Sequence, residues 1–144
     1  MDNAKRALKG SEKRDTFKQS HKSLHPSFYA CDIDFCLVSK YPPGIVALFD
    51  YKDFNDSVTF SEALAYNKFM EIAPVYVIQA SNPETGPFIL RRYCGANWKP
   101  EPPDVKYGPP LRLADWPAVG LWQRELRIEY RKRKGWNGKP PANL

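Results

Sequence analysis

This chain is poor in several residue types and patterns, and each shortage excludes something. Only three of its 144 residues are cysteine and two are histidine. Cys31 and Cys36 are five positions apart, so on one strand they would point to opposite faces and could not bridge. The cysteines read as reduced core thiols. No apolar run approaches the roughly 20 residues that a membrane span needs, so no membrane partner is expected. The opening Met1-Asp2-Asn3-Ala4-Lys5-Arg6 lacks the apolar stretch of a secretory signal, and a cytoplasmic protein is the expectation. No internal repeat is visible.

What is present fits one domain with loose ends, able to bury roughly two-thirds of its unfolded surface. The formal net charge is +6, a balance that favours polyanions without proving them as partners. Three regions follow from composition. Residues 1–26 form a basic, polar arm, helical in part or disordered. Residues 27–93 carry the apolar segments of a core. Residues 94–144 hold a proline-rich stretch and a basic helix.

Strands are predicted over 27–38 and 44–52, joined by the turn Tyr41-Pro42-Pro43-Gly44. Centring the turn on Pro42 pairs residues whose numbers sum to 84. Asp34 then faces Asp50, Asp32 faces Lys52, and the period of two puts all four side chains on one face. Thr59-Phe60-Ser61-Glu62 has the form of a capping box opening a helix to about Ile72, with Phe60, Ala63, Leu64, Tyr66, Phe69 and Met70 as its apolar face. Strands follow at 75–79, as a parallel addition by a crossover, and at 88–93. Residues 95–114 contain five prolines and predict a surface strap without regular structure. A last helix runs from Trp116 to Lys134, capped by Asp115 and stopped by Gly135. Its apolar stripe is Val119, Trp122, Leu126 and Tyr130. An adjacent stripe, Arg124, Arg127, Arg131 and Lys134, could meet phosphates or simply face solvent. The class is therefore α/β: a mixed four-stranded sheet flanked by helices.

Three carboxylates and a lysine inside apolar strands are expensive unless paired or metal-bound. Asp34, Asp50 and the carbonyl of Tyr51 offer the oxygen half-shell that Mg²⁺ or Mn²⁺ accepts, and Lys52 offers an amine to place a water or stabilise phosphate charge. Asp32 would pair with Lys52 or assist the metal.

The string Asp34-x(15)-Asp50-Tyr51-Lys52 resembles the PD-(D/E)XK nuclease superfamily, and Phe49-Asp50-Tyr51-Lys52 is similar to the D-Y-K signature of its RecB-type exonuclease domains. Helix-then-strand order after the lysine agrees with that core. The resemblance covers roughly residues 27–93. It implies a restriction-endonuclease-like fold and Mg²⁺-dependent nuclease action on nucleic acid, DNA ahead of RNA. It also implies metal ligation by Asp34 and Asp50 and a catalytic Lys52. A homodimer would let two sites cut two strands. The chain departs from the family at Ile33, where the motif's proline would stand. In the first helix only Glu12 could supply the acid many members carry. Gln79 stands for the glutamine after the lysine, and Glu62 or Asn67 replace the usual helical glutamine only approximately.

Other readings stay open. The acids could sit on a wet sheet face, with Asp50 and Lys52 as a surface ion pair worth under about 1 kcal/mol. Against this, Ile33, Phe35, Leu37 and Phe49 form one apolar face, and Val46, Leu48 and Cys36 another. A catalytically inactive module of the same fold, binding nucleic acid or protein, is the main alternative; a protein-interaction module using the proline-rich strap is a third. His21 and His25 suit surface or phosphate contacts better than a metal, because Pro26 disfavours a helix there. Arg91 and Arg92 point to opposite faces, so at most one can line the site. Trp98 and Trp136 could stack on bases or merely pack.

Overall fold

The computed structural model describes residues 12–16, 33–97 and 103–136. The chain divides into two compact units, 1–32 and 33–144. In the first, residues 12–16 form a short helical stretch in which Thr16 Oγ1 donates to the Glu12 carbonyl at 2.9 Å. The second unit contains β1 (Phe35–Ser39), β2 (Gly44–Tyr51), α1 (Phe60–Phe69), β3 (Val75–Ala80), β4 (Phe88–Asn97), β5 (Asp104–Tyr107), β6 (Leu111–Leu113) and α2 (Trp116–Arg133). Its class is α/β, with an open, mixed and mostly antiparallel sheet of order β1-β2-β3-β4-β5, with β6 also paired to β4.

Apolar side chains cover both sheet faces. Ala47, Phe49, Phe88 and Leu90 pack with Val119, Leu126 and Tyr130 of α2 on one face. Leu48, Val75, Val77 and Tyr93 pack with Ala63 and Tyr66 of α1 on the other. β2, the strand between β1 and β3, is buried over Val46–Asp50. Because β2 and β3 run parallel, α1 serves as their crossover.

The predicted register holds at the Phe35–Phe49 end of the hairpin. Phe35 pairs with Phe49, Cys36 with Leu48 and Leu37 with Ala47, all on the sum of 84. A bulge between Leu37 and Val38 then shifts the pairing, so that Ser39 meets Gly44. Both helix starts follow the predicted chemistry. Thr59 and Glu62 make the reciprocal capping box of α1, and Asp115 caps α2 by accepting from Ala118 N at 3.0 Å.

Several expectations need correction. The sheet has six strands where four were predicted, because β4 continues to Asn97 and the strap supplies β5 and β6. Among the described residues, Pro103, Pro109 and Pro110 are tolerated there because they stand next to these short, peripheral strands and not within them. Helix α1 ends at Phe69, not Ile72, with Met70 as its C-cap. Leu64 and Met70 are exposed, since only the stripe through Ala63 and Tyr66 faces the sheet. Ile33 precedes β1 and packs in the α1-side cluster, so it leaves the face assigned to it, and Phe35 is half exposed. Cys36 and Cys94 are exposed free thiols, not core residues. The segment 27–32, with Cys31 and Asp32, lies outside the described residues, as do His21, His25 and Trp98.

Candidate active site

The site begins with the β1–β2 pairing. Extending its register by one residue brings Asp34 opposite Asp50. Asp34 Oδ2 accepts a hydrogen bond from the Tyr51 backbone N at 2.8 Å, which fixes its carboxyl group at the strand end. Asp34 is exposed; Asp50 is 5 % exposed, and the two carboxyl groups are within hydrogen-bonding reach of each other. Burial first, and Asp34 beside it second, push Asp50 up from 3.8 to about 7. Tyr66, whose hydroxyl donates to Asp50 Oδ2, and the nearby Lys52 pull the other way.

Helix α1 provides the rest of this environment. Glu62 and Tyr66 are one turn apart and so share a helix face. Glu62 Oε1 accepts from Thr59 N at 2.9 Å, and its Oε2 takes the ammonium of Lys52 in an ion pair. The two side chains are 14 % and 18 % exposed, so the pair is shielded from water to a degree that surface pairs are not. Tyr66 is packed edge-on against Tyr93 at 5.2 Å. The Tyr93 hydroxyl donates to Asn67 Oδ1 at 2.9 Å, and burial raises it to about 12.

Gln79 lies on the same sheet face and is 8 % exposed. Its Nε2 donates to the Asp53 carbonyl at 3.3 Å, and its Oε1 accepts from Arg91 Nη1 at 3.1 Å. Arg91 shares a lining with Lys52, whereas Arg92 lines a cavity beside Glu129 on the α2 side, so one of the two arginines reaches this region.

The basic stripe sits elsewhere. Helix α2 packs on the sheet face opposite Asp50. Arg124 and Arg127 are exposed. Arg131 Nε donates to the Tyr41 carbonyl at 2.9 Å, and Lys134 lies 5.8 Å from the Tyr130 ring centre. Trp136 is stacked on Tyr41 at 6.2 Å, so it packs against the hairpin turn.

Tyr66 and Tyr93 were not read from sequence as parts of the site, and Glu62, read there as an approximate substitute for a helical glutamine, was not paired with Lys52. Tyr66 and Tyr93 looked like core aromatics. The spacing of Glu62 and Tyr66 was the available signal, since a cap glutamate one turn before a tyrosine puts two polar groups toward the same strand.

Two carboxylates crowded together can share a proton, or lose it to water when a bound cation relieves their repulsion. The donor set is all oxygen, which suits Mg²⁺ or Mn²⁺. Among the described residues no cluster of three or more Asp, Glu, His or Cys side chains forms a fuller cage. Mg²⁺ keeps several waters, so Asp34 and Asp50 with the Tyr51 carbonyl are the groups that could hold it.

Comparison with family models, curated proteins and solved structures yields no match. Among the described residues no helix is long and apolar enough to cross a membrane.

Proposed function

We propose that this chain is a metal-dependent phosphodiesterase acting on nucleic acid, DNA ahead of RNA, with a restriction-endonuclease-like core. The observation that carries this reading is the meeting of Asp34 and Asp50 across the β1–β2 pair, with Lys52 beside them. The antiparallel β1–β2 hairpin, the α1 crossover and the parallel β3 support the same reading. So does the position of Gln79 on the site's face of the sheet.

Asp34, Asp50 and the Tyr51 carbonyl would hold Mg²⁺ or Mn²⁺. When bound, the ion supplies Lewis acidity toward a phosphate oxygen and a more acidic water. The protein's own groups do the positioning. Asp50 must lose its proton to ligate. Tyr66 fixes one Asp50 oxygen. Glu62 holds the Lys52 ammonium in place, where it can orient a water or stabilise charge on the phosphate.

The test is cleavage of plasmid and single-stranded DNA by pure protein with Mg²⁺ or Mn²⁺. Asp34→Ala and Asp50→Ala should each abolish cleavage, and Lys52→Ala should slow it by roughly 10²–10⁴-fold. Cleavage that survives Asp50→Ala overturns the proposal. One observation favours a second reading, an inactive module that binds nucleic acid: Lys52 is already neutralised by Glu62. Binding indifferent to EDTA and to Lys52→Ala, with no cleavage under any metal, would select it.

A further inference from the structure

Strand β5 and the loop after β2 border an open cavity of about 290 Å³ on the sheet face that carries Asp50. Lys52, Arg91, Gln79, Phe54, Asp56 and Tyr107 contribute to its lining. The Arg91 guanidinium is fixed by neutral partners. It donates to Gln79 at 3.1 Å and lies 5.9 Å from the Tyr107 ring centre. Among the described residues no carboxylate lies within ion-pair distance of it. A guanidinium has five N–H donors, more than these partners use. Phe54 is 50 % exposed and Tyr107 is 37 % exposed, so both rings leave surface free for stacking. Asp56 is an acceptor suited to a sugar hydroxyl.

We infer that this cavity binds one unpaired nucleotide, with its phosphate on Arg91 and its base against Tyr107 and Phe54. A planar guanidinium matches phosphate geometry, and aromatic faces accept any base. The volume lies close to the roughly 300 Å³ lower limit of small-molecule sites. As a statement about substrate this rests on the phosphodiesterase reading, since it puts an unpaired or terminal nucleotide beside Lys52, on the sheet face of Asp50. As a statement about binding it stands alone.

The experiment is calorimetric titration of the whole chain in EDTA with thymidine 5′-monophosphate, thymidine and inorganic phosphate. The monophosphate should bind at least tenfold more tightly than either fragment. Arg91→Ala and Tyr107→Ala, checked for folding by circular dichroism, should each weaken it tenfold or more. If Arg91→Ala does not fold, Arg91→Lys, which keeps the charge but loses the planar fork, should still weaken binding. No binding by wild type, phosphate binding as tightly as the nucleotide, or unchanged affinity in the folded variants overturns the inference. Polynucleotide cleavage without mononucleotide binding overturns it alone; mononucleotide binding without cleavage under any metal overturns the phosphodiesterase reading alone.

Discussion

Asp50 shows how a buried carboxyl group can act against stability. Its folded value of about 7 lies above the ordinary 3.8, so between these values the folded state holds a proton that the unfolded state has lost. The stabilising contribution is complete below about pH 4 and disappears as pH rises through about 7. At about 1.4 kcal/mol per unit, its ceiling is roughly 4 kcal/mol. In EDTA, the urea midpoint of wild type should therefore fall between pH 5 and pH 8. Asp50→Asn should remove this slope and be at least as stable as wild type at pH 8. A wild-type profile as flat as the variant's would eliminate Asp50 as its source. Tyr66 and Asp34 both engage Asp50, so effects at these positions should not add.

At the scale of elements, local chemistry set the helix ends and tertiary contact set the turn. Thr59→Ala removes the hydroxyl that accepts from Glu62 N at 3.2 Å, and should cost about 1 kcal/mol by denaturant titration. Because Glu62 also holds Lys52, cleavage should fall further than that stability loss explains. The β1–β2 turn is clamped by α2: the Tyr130 hydroxyl donates to the Pro43 carbonyl at 3.0 Å, and Arg131 to Tyr41. Gly44 has φ +155°, and a Cβ there would lie 2.0 Å from the Tyr130 hydroxyl. Gly44→Ala should destabilise by about 2 kcal/mol or more, and adding Tyr130→Phe should recover part of that loss in a double-mutant cycle. Full additivity would mean that the crowding is relieved some other way. Strands β5 and β6 illustrate the opposite case. Their sequences are short and proline-flanked, and they exist as strands because β4 offers an edge to pair with.

At the scale of the molecule, the net charge of +6 and the acid site are organised separately. Asp50 and Lys52 lie on the α1 side of the sheet, while Arg124 and Arg127 are exposed on α2, which covers the other side. If the stripe contacts phosphates, polynucleotide affinity should fall steeply with salt. Arg124→Glu with Arg127→Glu should then weaken low-salt binding about tenfold, while changing stability by less than about 1 kcal/mol. Binding unchanged by the pair of reversals would make the stripe a solvated face.

Sequence alone determined the features governed by neighbours along the chain. The Thr59 and Asp115 caps, the Asp34–Asp50 register and the split of Arg91 from Arg92 all follow from fixed backbone periods and short side-chain reach. Tertiary structure decided what depends on distance through space and exclusion of water: the proton on Asp50, Glu62 as the partner of Lys52, Tyr66 as a donor, and the cavity under β5. Coulomb energy and desolvation scale with separation and burial, and only packing between elements sets those quantities.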